Sequence, residues 1–433
     1  MKRTPQFLLN FLNLAPAQAG LWLFLLAFFV RLAIVFFFHT YRDLGRYELE
    51  RTAISLATTG VFGNPYAVPT GPTAHVSPGY PLLLAAVFKL FGTGTAAEIV
   101  KQTLASAVSS LVCAFLPGLA VAAGIHRSLG VAAGVVTAVF PAQPLVQIDG
   151  DWEAPYTALA LMLVVFITVR LWGRPEFTVK RALLHGIAWG ISLLFVSALL
   201  SIFVVFVWAS AYFFLRAGKP GQFFRFAALE ILIVSVSLAP WAIRNYRALG
   251  EPILTRTNFG LELYVSNNDL ASPDQRVNYL NGVYGKYHPL LNINEAVLVR
   301  EVGEVAYNKQ AGDKARQWIR THPIRFLQLC VGRARCFWFY RDPTSIVKTA
   351  FLAGIALFGF LGLILLFAQE PVTGTTFLLI LLCYPLPSYL VHVGVRQEYP
   401  IQWMMVLLSA VAIEYSVRKL ARLRESQKQR ALI

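Results

Sequence analysis

The run Leu21-Trp-Leu-Phe-Leu-Leu-Ala-Phe-Phe-Val-Arg31-Leu-Ala-Ile-Val-Phe-Phe-Phe38 decides what kind of protein this is. Wound as a helix it is about 27 Å long and apolar on every side. That is close to the roughly 20 residues that cross a bilayer. Lys2 and Arg3 precede it and no small-residue cleavage site follows. It therefore reads as a retained first span with its basic N-terminus in the cytoplasm, not as a signal peptide. Arg31 lies inside the span, where an unpaired charge costs about 2.5–3.5 kcal/mol on insertion scales. The residue needs an acidic or backbone partner and is not read as catalytic.

Runs of the same kind recur along the 433 residues, of which 57% are hydrophobic and 14% charged. A soluble chain carries about 25% charged residues, so a soluble globule, a disordered chain and a disulfide-stapled secreted domain are excluded. The net charge of +16 would suggest a nucleic-acid partner in a soluble protein. Here Lys and Arg collect in short loops beside apolar runs, as the positive-inside rule requires, and no nucleic acid is expected. Cys113, Cys330, Cys336 and Cys383 show no metal-ligand spacing and imply no disulfide framework.

The apolar runs predict crossings at 20–38, 99–124, 129–148, 154–171, 226–243, 346–368, 374–393 and 400–417. The stretch 182–215 has basic residues on both flanks and is too long for one crossing. It is read as two helices broken near Phe195–Ser201, although no Gly or Pro marks the turn. The total is about ten crossings with both termini inside, the polybasic tail from Arg418 onward fixing the second. Residues 79–92 are apolar but too short, and read as an interfacial or re-entrant helix. The fold class expected is an all-α polytopic membrane protein in three parts. Residues 1–243 form a transmembrane module carrying external loops 39–78 and 149–153. Residues 244–345 form a small external domain, with a charged helical piece Ile293–Ala315 and an interfacial helix Ile324–Phe339. Residues 346–433 complete the bundle, with Arg396–Pro400 as an external turn.

A transporter would concentrate ionisable groups near mid-bilayer on broken helices. Here most of them fall at the outer ends of helices, which points to chemistry at the outer surface on a substrate held in the membrane. The first loop reads Arg42-Asp43-Leu-Gly-Arg46-Tyr47-Glu48-Leu-Glu50, and later Pro72-Thr-Ala-His75-Val-Ser-Pro78-Gly79-Tyr80-Pro81. An Asp just beyond the first span, a Tyr four on, and a Pro-Gly-Tyr-Pro turn before a short apolar helix resemble the GT-C superfamily of polyprenyl-phosphate-sugar glycosyltransferases. The similarity is to the bacterial branch of protein O-mannosyltransferases and of the lipid A aminoarabinose transferase. Pro240-Trp241-Ala-Ile-Arg244-Asn245-Tyr246, Thr257-Asn258-Phe-Gly260, Asn267-Asn268, His322-Pro323 and the Arg396–Pro400 turn extend it in order along most of the chain.

The resemblance implies a GT-C-like helix bundle in the bacterial cytoplasmic membrane. It also implies sugar transfer with inversion, from a polyprenyl-phosphate-linked donor to a glycan, lipid A or protein acceptor at the periplasmic face. Such a reaction needs a carboxylate to take the hydroxyl proton, fixed positive charge for the departing phosphate, and an apolar groove for the lipid. Asp43 occupies the position of the family's catalytic aspartate; its structural alternative is an ion pair with Arg42 or Arg46. Glu48 and Glu50 read as pairing partners. Asp151 and Glu153, in the turn Asp149-Gly-Asp-Trp-Glu153, are candidates to orient acceptor or sugar; a solvated loop is the alternative. Asp149 and Asp151 also spell D-x-D, a pattern able to hold a divalent metal, although the resemblance implies no cofactor. Arg396 and Arg244, with Tyr399 as an added donor, are candidates for the leaving phosphate. His75, Tyr80 and Asn245 are candidate substrate contacts, His75 having a structural hydrogen bond as its alternative. The rival reading is a flippase or carrier for a lipid-linked sugar, which needs no base.

Overall fold

The computed structural model describes residues 14–42, 44–139, 153–340 and 345–430. Among these the backbone is helical, apart from loops and two isolated bridges, Gly63–Pro72 and Asp274–Val393. The first nine helices are α1 (Pro16–Phe37), α2 (Glu48–Thr59), α3 (Gly79–Phe91), α4 (Thr95–Ala122), α5 (Arg127–Val139), α6 (Ala154–Gly173), α7 (Val179–Phe195), α8 (Leu199–Arg216) and α9 (Pro220–Leu249). Six more follow: α10 (Phe259–Ser266), α11 (Gln275–Leu280), α12 (Val283–Tyr287), α13 (Ile293–Val302), α14 (Glu304–Thr321) and α15 (Pro323–Trp338). The chain closes with α16 (Ile346–Gln369), α17 (Pro371–Cys383), α18 (Leu386–Leu390) and α19 (Val395–Arg430).

Eight of the described helical segments are long and apolar enough to cross a membrane: α1, α4, α6, α8, α9, α16, the α17–α18 pair and α19. The protein is an all-α polytopic membrane protein. Two of the ten expected crossings coincide with shorter helices, α5 of 13 residues and α7 of 17. The expected span 129–148 continues past Val139 outside the described residues. The break in 182–215 falls at 196–198, where Val196 turns extended (φ −138°, ψ 109°) and ends α7 without Gly or Pro. The 13-residue α3 is the short apolar helix expected at 79–92.

Two expectations are corrected. The Arg396–Pro400 stretch is not a turn but the first turns of α19, with Pro400 inside the helix. Pro400 is the sixth residue of α19 and deletes the one ladder bond that its own N–H would make to the carbonyl of residue 396, a loss confined to the first turns. Helix α9 continues past 243 to Leu249, so Arg244 and Asn245 sit on its last turns rather than in a loop.

The bundle has two chemically different ends. At one, the Thr40 hydroxyl after α1 donates to Gln102 near the start of α4 (2.6 Å). At the other, Thr373 at the start of α17 donates to the carbonyl of Ala123, just past α4 (3.0 Å). Arg127, Arg174, Lys180, Arg181, Arg216 and Lys219 gather at this second end. Buried Arg31 ties three helices together inside: its guanidinium donates to Ser109 Oγ of α4 (2.9 Å) and to the carbonyls of Ala27 (3.1 Å), Thr137 and Ala138 (both 3.3 Å). Among the described residues the partners demanded by the cost of burial include three backbone carbonyls and a serine hydroxyl. Helices α16 and α19 meet at Gly362, where a Cβ would stand 1.9 Å from the Leu408 carbonyl oxygen. Such small-residue contacts let helices approach where no hydrophobic drive separates helix from lipid.

The first end carries the polar elements. Lys101 of α4 reaches both Glu50 of α2 and Glu98 (2.6 Å to the latter), and Arg46 lies 3.7 Å from Glu98. This buried cluster fixes the start of α2 against α4, and Glu50 is a pairing residue as expected. Over it sit α10–α14, packed through Leu261, Val265, Val283, Val299, Tyr307 and Ala311 on Tyr66 of the first loop. Arg333 of α15 is fully buried, and its guanidinium donates to Asn267 Oδ1 (3.1 Å), to Leu390 O (2.9 Å) and to Ser266 O. Burial pulls it down to about 10, so it stays cationic at neutral pH.

Candidate functional site

The 39–78 loop is held down from two sides. Buried Glu304, at the start of α14, accepts from the Ala74 amide (2.8 Å), the Thr257 hydroxyl (2.7 Å) and the Thr73 hydroxyl. Burial raises its carboxyl above the ordinary range, and these donors oppose the rise only in part. On the other side Arg244 donates to Thr73 O (2.6 Å) and Phe62 O, with its guanidinium against the Phe62 and Trp241 rings. So anchored, the loop delivers Tyr47 and Glu48 to a cavity of about 500 Å³ at this end of the bundle.

Its wall also includes Glu262 of α10, Arg276 of α11, Tyr284 of α12, His288, His392 and Arg396. A smaller cavity of about 150 Å³ adjoins it and shares Glu262, His392 and Arg396. Glu153, Thr157, Arg256, Asn258 and Tyr384 complete the second wall. Between the two, Glu262 Oε2 lies 3.3 Å from His392 Nδ1, while Oε1 accepts from Asn258 Nδ2 (3.1 Å). Burial alone would raise the Glu262 carboxyl, but the contact with His392 outweighs it and holds the group well below the usual carboxylate range. Arg276 and Arg396 in the larger cavity, and Arg256 and Arg396 in the smaller, therefore share their walls with an acidic carboxylate, and the larger has room for a sugar phosphate.

Behind Glu48 two buried histidines meet edge to face, with ring centroids 6.1 Å apart. His288 Nε2 is 3.5 Å from Glu48 Oε1, and His75 Nδ1 is 2.9 Å from the Tyr66 hydroxyl. Burial pulls the His75 imidazole down to about 3, so it is neutral at physiological pH, and burial also raises the Tyr66 phenol well above its ordinary value.

Of the residues expected at the site, Arg396 lines both cavities and Glu153 the smaller one, where its buried Oε2 has no hydrogen-bond partner among the described residues. Asp43, Asp149 and Asp151 lie outside the described residues; their neighbours Arg42 and Glu153 lie inside them. Arg244 lines neither cavity and clamps the loop instead. Tyr399 is buried away from both, its hydroxyl 2.6 Å from Ser109 Oγ in the Arg31 network. Tyr80 is buried against Tyr156, and the Asn245 side chain donates to Ile253 O (2.8 Å). His75 lines neither cavity, and its ring meets the Tyr66 hydroxyl rather than the 72–81 turn. Arg256, which the sequence offered as an alternative to Arg244 for the phosphate, lines the smaller cavity, whereas Glu262, His288, His392 and Arg276 escaped the sequence reading, each being a lone polar residue in an unremarkable context.

No protein-family model and no curated protein sequence matches this chain. Two solved structures share its fold. One is the archaeal oligosaccharyltransferase AglB from Archaeoglobus fulgidus in complex with an inhibitory peptide and a dolichol-phosphate (TM-score 0.55, 14% identity), matched over 95% of this chain and 52% of that one. The other is the Archaeoglobus fulgidus oligosaccharyltransferase in the apo form (TM-score 0.58, 14% identity), with the same coverage. The chain spans about half the length of these structures, and at such identity the likeness is one of fold: a GT-C-type membrane helix bundle.

Proposed function

We propose that this GT-C-type protein is an inverting glycosyltransferase that moves a sugar from a polyprenyl-phosphate-linked donor to an acceptor hydroxyl at the periplasmic face of a bacterial inner membrane. The observation that carries the reading is the paired cavity at the bundle end opposite the basic one. Glu48, Glu153 and Glu262 meet Arg256, Arg276 and Arg396 there, at one end of the helix bundle. Positive-inside logic makes that end the outer one.

In this scheme Asp43, five residues before Glu48 on the same loop, takes the acceptor proton. The acceptor oxygen forms a bond to the anomeric carbon from the face opposite the leaving group. The bond from that carbon to the phosphate oxygen breaks, its electron pair leaves on polyprenyl phosphate, and Arg396 with Arg276 or Arg256 stabilises the charge. Glu153 and Asp151 orient sugar or acceptor. Ionised Glu262 holds His392 in place beside Arg396 and keeps the pocket from being uniformly cationic.

The test offers the purified chain in nanodiscs a set of polyprenyl-phosphate sugars and analyses lipid phosphate and product by mass spectrometry. Release of lipid phosphate with a glycosylated product is expected, abolished in Asp43→Asn and with a raised donor KM in Arg396→Ala. Movement of labelled donor across sealed vesicles with no product would instead establish the carrier reading.

A further inference from the structure

We propose that the wall formed by α11 and α12 is the acceptor subsite and that the acceptor is a neutral glycan, an assignment that rests on the glycosyltransferase reading. Gly282, at φ 73°, takes the left-handed position open to glycine at no steric cost, and folds α12 back on α11. That turn sets Tyr279 and Tyr284 side by side, with ring centroids 5.9 Å apart and planes tilted by 44°. His288 continues the row, 5.7 Å from Tyr284 at 35°. All three line the larger cavity, and the row descends from its rim: Tyr279 is 54% exposed, Tyr284 half-buried and His288 buried. It ends beside Glu48, whose Oε1 is 3.5 Å from His288 Nε2, on the loop that carries the proposed base.

Sugar chemistry matches such a wall. A pyranose has apolar C–H faces edged by hydroxyls, and a tyrosine offers a flat apolar body with a polar tip, fixed at the entropy cost of two torsions. Asp274, Gln275 and Arg276, at the start of α11, bring carboxylate, amide and guanidinium groups to the same cavity for the hydroxyls. The wall is also held in place. The Gln275 amide N–H donates to Val393 O (3.1 Å) and its side-chain Nε2 to the Tyr284 hydroxyl (3.0 Å), which ties the row to the segment leading into α19 and Arg396. The volume of about 500 Å³ falls within the range of about 300–1,000 Å³ usual for small-ligand sites, room for a short oligosaccharide. Other acceptor classes fit less well. Glu48, Glu262 and Asp274 line the cavity with Arg276 and Arg396, so its charge does not favour a polyanionic lipid headgroup. Among the described residues the wall is helical apart from the single Asp274–Val393 bridge, so an extended peptide has no strand edge to join.

The experiment uses the full chain in nanodiscs without donor. It follows NMR saturation transfer to neutral trisaccharides of gluco, galacto and manno configuration, and to a neutral Ser/Thr tripeptide. At least one trisaccharide is expected to bind, and the tripeptide is not. Tyr279→Ala is expected to weaken that binding by about 3–10-fold at an unchanged melting temperature, and Tyr279→Phe to retain it. Tyr246→Ala, which removes an exposed ring on α9, is expected to leave it unchanged. With donor added, the bound trisaccharide is expected to gain a sugar, and Tyr279→Ala to raise the trisaccharide KM while the donor KM stays. Binding of no trisaccharide, binding of the tripeptide instead, or trisaccharide binding unaltered by Tyr279→Ala overturns the proposal. A donor KM that rises in Tyr279→Ala while the trisaccharide KM stays gives the wall to the donor and overturns the acceptor role. Binding is read without donor, so trisaccharide binding with no transfer leaves the glycan site standing and sinks the transferase reading. Transfer to a peptide or lipid with no trisaccharide bound sinks only this proposal.

Discussion

Gly260→Ala tests whether the position of α10 controls the site. A Cβ at residue 260 would stand 2.1 Å from the carbonyl oxygen of Asn308 on α14. Real Cβ contacts do not fall below 3.0 Å, so the two backbones must open by about 0.9 Å. The obstacle is main chain, not a side chain that can swing away. Overpacking of this kind costs about 1–3 kcal/mol. Helix α10 also carries Glu262, two residues on, whose 3.3 Å contact with His392 has little slack. A shift of that size away from His392 would take it past 4 Å, and misplacing a site group by about 1 Å costs up to about 100-fold in rate. The control is Gly285→Ala on α12, where a Cβ would meet nothing within 4 Å and φ is ordinary. That substitution should be neutral or stabilising by about 0.5–1 kcal/mol. The assay is thermal unfolding in nanodiscs followed by sugar transfer. Gly260→Ala matching the wild type in both melting temperature and kcat/KM, or melting no lower than Gly285→Ala, would refute the reasoning.

Arg333→Met should destabilise the protein by about 3 kcal/mol or more, since it strips a buried charge-assisted donor from carbonyls at the ends of α10 and α18; denaturant titration in mixed micelles checks it, and a cost below about 1 kcal/mol would show that water replaces the guanidinium. Arg244→Ala should free the 62–73 segment rather than weaken phosphate binding, so limited proteolysis of that loop should accelerate while the salt dependence of donor KM stays put. A change in salt dependence with an unchanged cleavage rate would return Arg244 to the phosphate role.

The bundle was largely legible in the sequence because bilayer insertion is a local, one-dimensional problem. Length, apolarity and flanking charge decide each crossing, and all three can be read residue by residue. The break at 196–198 was legible for the same reason, since basic residues on both flanks of 182–215 forbid a single crossing. What misled was the use of proline as punctuation. Pro400 falls near a helix start, where it removes one bond, and Pro240 lies inside α9 without ending it.

The site was only half legible, and the missing half has a physical cause. Arg396 and Glu153 flank apolar runs, so the same charge rules that place helix ends also place them. Glu262, His288 and His392 have no such marker, because each acquires its role from a partner far away in the chain. Glu262 is kept acidic by the adjoining His392, and His288 meets Glu48 only because Glu304 and Arg244 clamp the first loop beneath α10–α14. Arg244 shows the converse error. An arginine at the outer end of a span invites a phosphate role, yet the Thr73 and Phe62 carbonyls already claim its donors, and that competition is invisible until the loop is folded. Polar residues at the end of a membrane bundle thus divide into those that hold loops and those that line the pocket. The division follows from which carbonyls the loops leave unpaired, not from residue type or proximity to a span.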